Sequence, residues 1–257
     1  MAHFYEQTAA GVEARHYVPL VSRPEELRPT RMSDVRKWTK EGRVVVPSVT
    51  TVLNVLAKPA LQNWYVEQHL KLAFNHAHEF DNTDTEEHWI AEVRRLTELE
   101  MDKAPTAGGD LHKSLELYTR RELKEEHPDW RLCFEVSDAV MEYTGCGSWE
   151  TETRFVSALG FGGQTDLSSQ DWLVDYKTKQ TVAKFKPGKM VYDEHRMQLA
   201  AYREGLGLPK ARCANVFICI EDGQIDFHEH KEDELQRGWR MFQNCLAIWN
   251  EQNRLAA

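Results

Sequence analysis

The spacing of apolar side chains is mainly helical up to about residue 150, where it gives way to the short alternation of strands. Val52, Leu53 and Leu56, then Leu61, Trp64 and Tyr65, recur at helical spacing on either side of Pro59. This predicts two short helices in an angled pair, the first capped by Ser48 or Thr50. Trp89, Ile90, Val93 and Leu96 mark an amphipathic helix over 86–99, ended by a linker from Pro105 to Gly109. A new helix starts near Asp110 and carries Leu111, Leu115, Leu117 and Tyr118, and another covers Trp130 to Tyr143 before Gly145 and Gly147. Ahead of all these, residues 1–46 are mixed, with an Arg-, Lys- and Pro-rich stretch over 23–43 and a short strand at Val44 to Val46.

Beyond residue 150, the segments 151–159, 162–168 and 172–177 alternate and are separated by turn residues, as in an antiparallel three-strand run. Residues 192–205 return to helix, 214–220 form an apolar strand, and Asp222-Gly223 turns the chain into a partner strand over 224–230. A last helix over 232–253 buries Leu235, Trp239, Phe242, Leu246 and Trp249. The order predicts an α/β core, a central mixed sheet flanked by helices, with an N-terminal helical elaboration. One domain is expected: 1–105 mostly helical, 106–230 the core, 231–257 a closing helix.

Composition narrows the class. A chain of 257 residues, 41% hydrophobic and 28% charged, has the balance of a soluble globular protein with one substantial core. No apolar run approaches the roughly 20 residues of a membrane span, and the first residues resemble neither a secretory signal nor a transit peptide, so the cytoplasm is the expected location. Five cysteines at irregular spacing, with no CxxC pair, point to reduced thiols, and with nothing preceding Cys133 no iron–sulfur cluster is expected. A net charge of −9 argues against coating nucleic acid through the overall field, but it permits a local basic groove beside a carboxylate-rich metal site.

The chemistry concentrates in residues 160–179, GFGGQTDLSSQDWLVDYKTK. On a strand over 172–177, side chains two apart share a face, so Asp175 and Lys177 project together with Leu173. If the turn around Ser169-Gln170 has an even number of residues, Asp166 lies opposite Leu173 and its carboxylate joins that face. Carboxylates brought together are costly unless a cation neutralises them, and such oxygen donors suit Mg²⁺ or Mn²⁺. A divalent ion flanked by a lysine is the equipment of phosphodiester hydrolysis.

These residues have company in a fixed order: Gly108 to His112 with Glu116, then Glu152, Gly163 to Asp166, Asp175-Tyr176-Lys177, and Gln198 to Tyr202. The set resembles the RecB-like branch of the PD-(D/E)XK nucleases, among them phage exonucleases and the mitochondrial genome maintenance exonuclease. In that branch a glycine-led helix carries a histidine, a strand carries an acid, G-x-x-D precedes D/E-x-K, and Q-x-x-x-Y follows on a helix. The resemblance covers residues 106–205, and the PSVTTVL segment at 47–53 also looks like the N-terminal part of these exonucleases. It implies a restriction-endonuclease-like core, Mg²⁺ or Mn²⁺ held by His112, Asp166, Asp175 and the carbonyl of Tyr176, and Lys177 assisting the attacking water. It also implies Gln198 and Tyr202 lining the site, and DNA as substrate, attacked from an end and single-stranded by preference, in replication, recombination or repair in a bacterial or phage-infected cell. Glu152 is taken as the strand acid, although Glu150 shares its strand face.

Lys179, Lys184, Lys186 and Lys189 follow Lys177 as a basic run whose natural partner is a phosphate backbone. Trp64 and Tyr65 are candidates for stacking bases of a single strand, beside the plainer reading as core. His76-Ala77-His78 and His228-Glu229-His230 lack a second ligand pair at zinc spacing, and the strand bearing the latter is expected to face solvent. No P-loop is present, so no nucleotide cofactor is expected. The alternatives are a structure-specific endonuclease and a non-catalytic DNA-binding scaffold; the intact charged set speaks against the scaffold.

Overall fold

The computed structural model describes residues 2–20, 23–79, 85–101 and 103–253. They form two compact units, one of residues 1–56 with 112–257 and one of residues 57–111.

The first unit opens with strands rather than helices. β1 (Phe4–Thr8), β2 (Gly11–Ala14), β3 (Tyr17–Pro19) and β4 (Leu27–Pro29) precede α1 (Met32–Lys40), β5 (Val44–Pro47) and α2 (Val49–Leu53). They give a three-stranded sheet in the order β2-β1-β5 and a separate β3-β4 pair. Only β5 was legible in sequence, because the other strands are too short to show a period, and β1 buries Phe4, Tyr5 and Glu6 in succession instead of alternating. Glu6 is tolerated inside because Arg15 and Arg43 donate to its carboxylate at 2.6 and 2.7 Å. Those bonds, Arg43 first, hold its pKa down to about 2 against the opposing effect of burial. Ser48 is the cap of α2, accepting the Thr51 N–H at 3.0 Å.

The second unit holds the helical elaboration: α3 (Pro59–Asn75), a short 3₁₀ turn (Ala77–Glu79), α4 (Glu86–Met101) and the beginning of α5 (Lys103–Thr119). α3 is not short but runs 17 residues. The expected linker from Pro105 to Gly109 is instead helix.

The rest of the first unit follows the predicted order. α6 (Trp130–Thr144) leads to β6 (Glu150–Ser157), β7 (Phe161–Ser168) and β8 (Trp172–Lys179). After a 3₁₀ turn (Val182–Lys184) come α7 (Asp193–Gly205), β9 (Arg212–Cys219), β10 (Ile225–His230) and α8 (Glu232–Asn253). The five strands lie in the order β10-β9-β8-β7-β6, antiparallel except for β8 and β9, which α7 connects as a parallel pair. This is the expected mixed α/β sheet. Its main core gathers Phe4, Val52, Phe161, Met197, Ala201 and Phe242. α8 packs tightly on α7 at Gly238, where a Cβ would stand 2.7 Å from the carbonyl oxygen of Arg196.

Candidate active site

The β7–β8 ladder pairs Ser168 with Leu173 and Leu167 with Val174. The turn between them holds four residues, Ser169 to Trp172, closed by the Ser169 N–H donating to the Trp172 carbonyl at 2.8 Å. Asp166 therefore does not lie opposite Leu173 as expected; the register is displaced by two and, continued, sets it opposite Asp175. Because two and four are both even, the displacement keeps the face of every side chain.

Past Leu167 the regular ladder gives way, and Asp166 turns its carboxylate to the neighbouring strand, accepting the Tyr176 N–H at 2.6 Å. Its other oxygen is 3.6 Å from Nδ1 of His112 on α5. His112, Glu116, Glu152, Asp166, Leu167 and Tyr176 line one narrow, tightly closed hollow. Glu152, not Glu150, is the strand acid that reaches it, from a backbone at φ 53°. A non-glycine residue there is strained, and such strain is found where the surrounding structure holds a side chain to a task.

Negative charge is crowded here. Burial, then the charges of Asp166 and Glu116, push the Glu152 carboxyl up to about 7. Asp175 is buried and raised by that burial and by Asp166, with Lys177 opposing. Burial works to lower His112, but the hydrogen bond and charge of Asp166, with Asp175, outweigh it and raise the ring's pKa. Glu116 faces this hollow without bonding the imidazole: Lys113 and Arg120 pair with its carboxylate at 2.7 Å each.

Lys177 lies on the other side of Asp175, its Nζ 2.7 Å from Oδ2 of that carboxylate, and it donates to Gln198 Oε1 at 3.1 Å. Gln198 Nε2 in turn donates to the Tyr202 hydroxyl at 2.8 Å, the contact that four-residue spacing on α7 allows. Gly163 explains why this helix sits so close. A Cβ there would stand 2.7 Å from the Tyr202 ring and 2.8 Å from that of Phe155, so the glycine of G-x-x-D makes room for the tyrosine of Q-x-x-x-Y.

No protein-family model and no curated relative matches the chain. Among solved structures, a candidate exonuclease from Eubacterium rectale shares 13% identity over 58% of this chain and 69% of its own, with a TM-score of 0.42. An alkaline exonuclease from Laribacter hongkongensis shares 16% over 49% of this chain and 73% of its own at 0.29. Its complex with dAMP shares 16% over 51% and 73% at 0.33. At these identities and scores the likeness adds nothing to the geometry above.

The remaining expected residues are more dispersed. Lys179 ends β8, its pKa lowered by burial and by the charges of Lys177 and Lys184, while Lys184, Lys186 and Lys189 are exposed on the segment before α7. Trp64 and Tyr65, on α3 of the second unit, are 37% and 39% exposed with ring centroids 5.3 Å apart, more open than core residues.

Two features escaped the sequence reading. Asn215 on β9 pairs with Asp175 and donates Nδ2 to its Oδ2 at 2.8 Å, so the carboxylate is gripped between Asn215 and Lys177. And the β10 face bearing His228 and His230 is not open to solvent: His230 is 3% exposed. Its ring approaches Asn215 Oδ1 at 2.7 Å through Nε2, and the charges of Arg196 on α7 and Glu234 on α8 both act on it. Side chains arriving from α7 and α8 are what a strand-by-strand reading could not foresee.

Proposed function

We propose that this chain is a divalent-metal-dependent nuclease that hydrolyses DNA phosphodiester bonds, working from ends as an exonuclease with single-stranded DNA preferred. The observation that carries the reading is the unbroken string Asp175–Lys177–Gln198–Tyr202, bonded side chain to side chain at the edge of an acid cluster. A purely structural role would not explain why like charges, Asp175 buried and Asp166 and Glu152 partly so, are kept together, with Glu152 pushed to about 7 and Asp175 raised. That excess of negative oxygen donors fits a hard cation. His112, Asp166, Asp175 and the Tyr176 carbonyl would hold Mg²⁺ or Mn²⁺, with Glu152 extending the set. Such an ion, when bound, polarises a phosphodiester and makes a coordinated water more acidic.

The chain's own groups do the rest. Lys177, restrained by Gln198 and Asp175, orients the attacking water and offsets charge developing on the phosphoryl oxygens. Tyr202 fixes the Gln198 amide so that its oxygen meets the ammonium. Lys179, Lys184, Lys186 and Lys189 offer sequence-independent phosphate contacts, and the Trp64–Tyr65 pair offers a surface on which bases stack.

Linear and circular single-stranded DNA, compared in Mg²⁺ and Mn²⁺ beside a Lys177→Ala variant, test this. The parent degrades linear DNA only with the metal and leaves circles intact, while the variant is slower by at least about 100-fold. Cut circles mean an endonuclease; binding without cutting means a scaffold.

A further inference from the structure

We propose that His228, His230 and Glu234 form a binding site for a transition-metal cation of the Zn²⁺ class, separate from the acid cluster and joined to it through Asn215. One ligand atom from each of the three lies within 4.8 Å of the others, and among the described residues no other group of three or more His, Cys, Asp or Glu gathers so closely. The register brings them there. His228 pairs with Asn215 and Asn215 with Asp175, so the three share one face of the sheet, with His230 two residues on.

The hydrogen bonds also assign which nitrogens are available. Asn215 spends its amide N–H on Asp175, so its Oδ1 faces His230 Nε2 and must accept a hydrogen bond from it. His230 is then the tautomer whose Nδ1 bears a lone pair, and that Nδ1 is buried without a hydrogen-bond partner. Nε2 of His228 is likewise buried and unpartnered. Buried polar atoms left unpaired are rare and call for an explanation, and a metal-binding histidine characteristically donates its other ring N–H to an oxygen acceptor, as His230 does to Asn215. Glu234 lies in the first turn of α8, one carboxylate oxygen accepting the Lys231 N–H at 2.9 Å. The other stands 3.9 Å from Arg196 Nη1, too far for a hydrogen bond, and so remains free to ligate. Two imidazoles and a carboxylate are a zinc-type donor set with a position left open. The plainer alternative is that Arg196 alone balances Glu234 and the histidines only fill space.

The test is independent of nuclease activity and uses the full chain carrying Asp166→Asn, which disables the acid cluster. Calorimetric titration with Zn²⁺ in excess Mg²⁺ should find one tight equivalent. Adding His228→Ala or Glu234→Gln, both at half-buried positions, should weaken binding by at least about tenfold, and Asn215→Ala by about 10- to 100-fold through loss of the tautomer-fixing acceptor. No tight equivalent in the Asp166→Asn chain, or one that survives both His228→Ala and Glu234→Gln, overturns the proposal.

Discussion

Asp175 stands between two neighbourhoods that meet the cost of burial in opposite ways. On one side Asp166, Glu116 and Glu152 gather around a single imidazole, and the crowding lifts Glu152 to about 7. On the other, beyond Asn215, burial pushes His230 down to about 4, with His228 adding to the effect, so the ring is neutral. An acid cluster keeps charge that it cannot neutralise alone, whereas buried His230 sheds its charge and presents a lone pair. The first invites a hard, oxygen-seeking cation and the second a borderline one, with a single carboxylate touching both surroundings.

The largest effect expected is from Asp175→Asn. The amide oxygen still accepts from Asn215, so the fold is retained, but the negative charge beside Lys177 and Asp166 is gone. DNA hydrolysis should fall by about 100- to 1000-fold, while the melting temperature moves little. Full activity in this variant would remove Asp175 from the site and leave the acid neighbourhood without its centre.

The histidine neighbourhood should show itself in acid. His230 is held near 4, His16 near 4 and His195 near 3, each chiefly by burial. A histidine whose folded pKa lies below its ordinary value binds its proton later in the native state than in the unfolded one. Stability is therefore full above about 6.5 and is lost as pH falls toward 4. His230 alone contributes on the order of 2–3 kcal/mol. Urea midpoints at pH 7, 5 and 4 measure this, and Zn²⁺ should reduce the loss if the site binds it. Equal midpoints at all three values would show that these rings are not neutral and buried.

Between these effects falls Gly163→Ala. The new methyl would collide with Tyr202 and Phe155 at 2.7 and 2.8 Å, at a cost of about 1–3 kcal/mol. It should also pull the Tyr202 hydroxyl from Gln198, so activity should fall further than stability accounts for. An activity loss that merely follows the folded fraction would mean that Tyr202 does not position the lysine.

Much of this contrast could be read from residues alone, and the division follows physical range. Asp175 with Lys177, and Gln198 with Tyr202, are fixed by the periods of one strand and one helix, so spacing sufficed; the structure joins each pair at 2.7 and 2.8 Å. Asn215 was hidden because its importance comes from the parallel β8–β9 register, which the long connection through α7 sets and no local pattern encodes. The burial of His230, with Arg196 of α7 and Glu234 of α8 near its ring, is again a matter of tertiary contact. Pro105 misled for the reverse reason: proline and glycine mark a linker only as a local tendency, and here the residues from Pro105 to Gly109 lie within helix.

The smallest effect sharpens the comparison most, because its sign opposes that of the histidines. Glu152 is raised from 4.5 to about 7, so the folded chain keeps a proton that the unfolded chain has already lost. As pH rises from about 4.5 to 7, this group lowers stability, the reverse of what His230 does over much of that range. The carboxyl is only partly buried, so solvent screening limits its share to less than about 1 kcal/mol. It is best read as a difference: in chelator, Glu152→Gln should gain stability over the parent as pH goes from 5 to 7. Mg²⁺ should erase that gain by stabilising the ionised carboxylate of the parent. A difference that stays flat with pH would mean that Glu152 is not pressed against Asp166 and Glu116, and the acid neighbourhood would then have one member fewer.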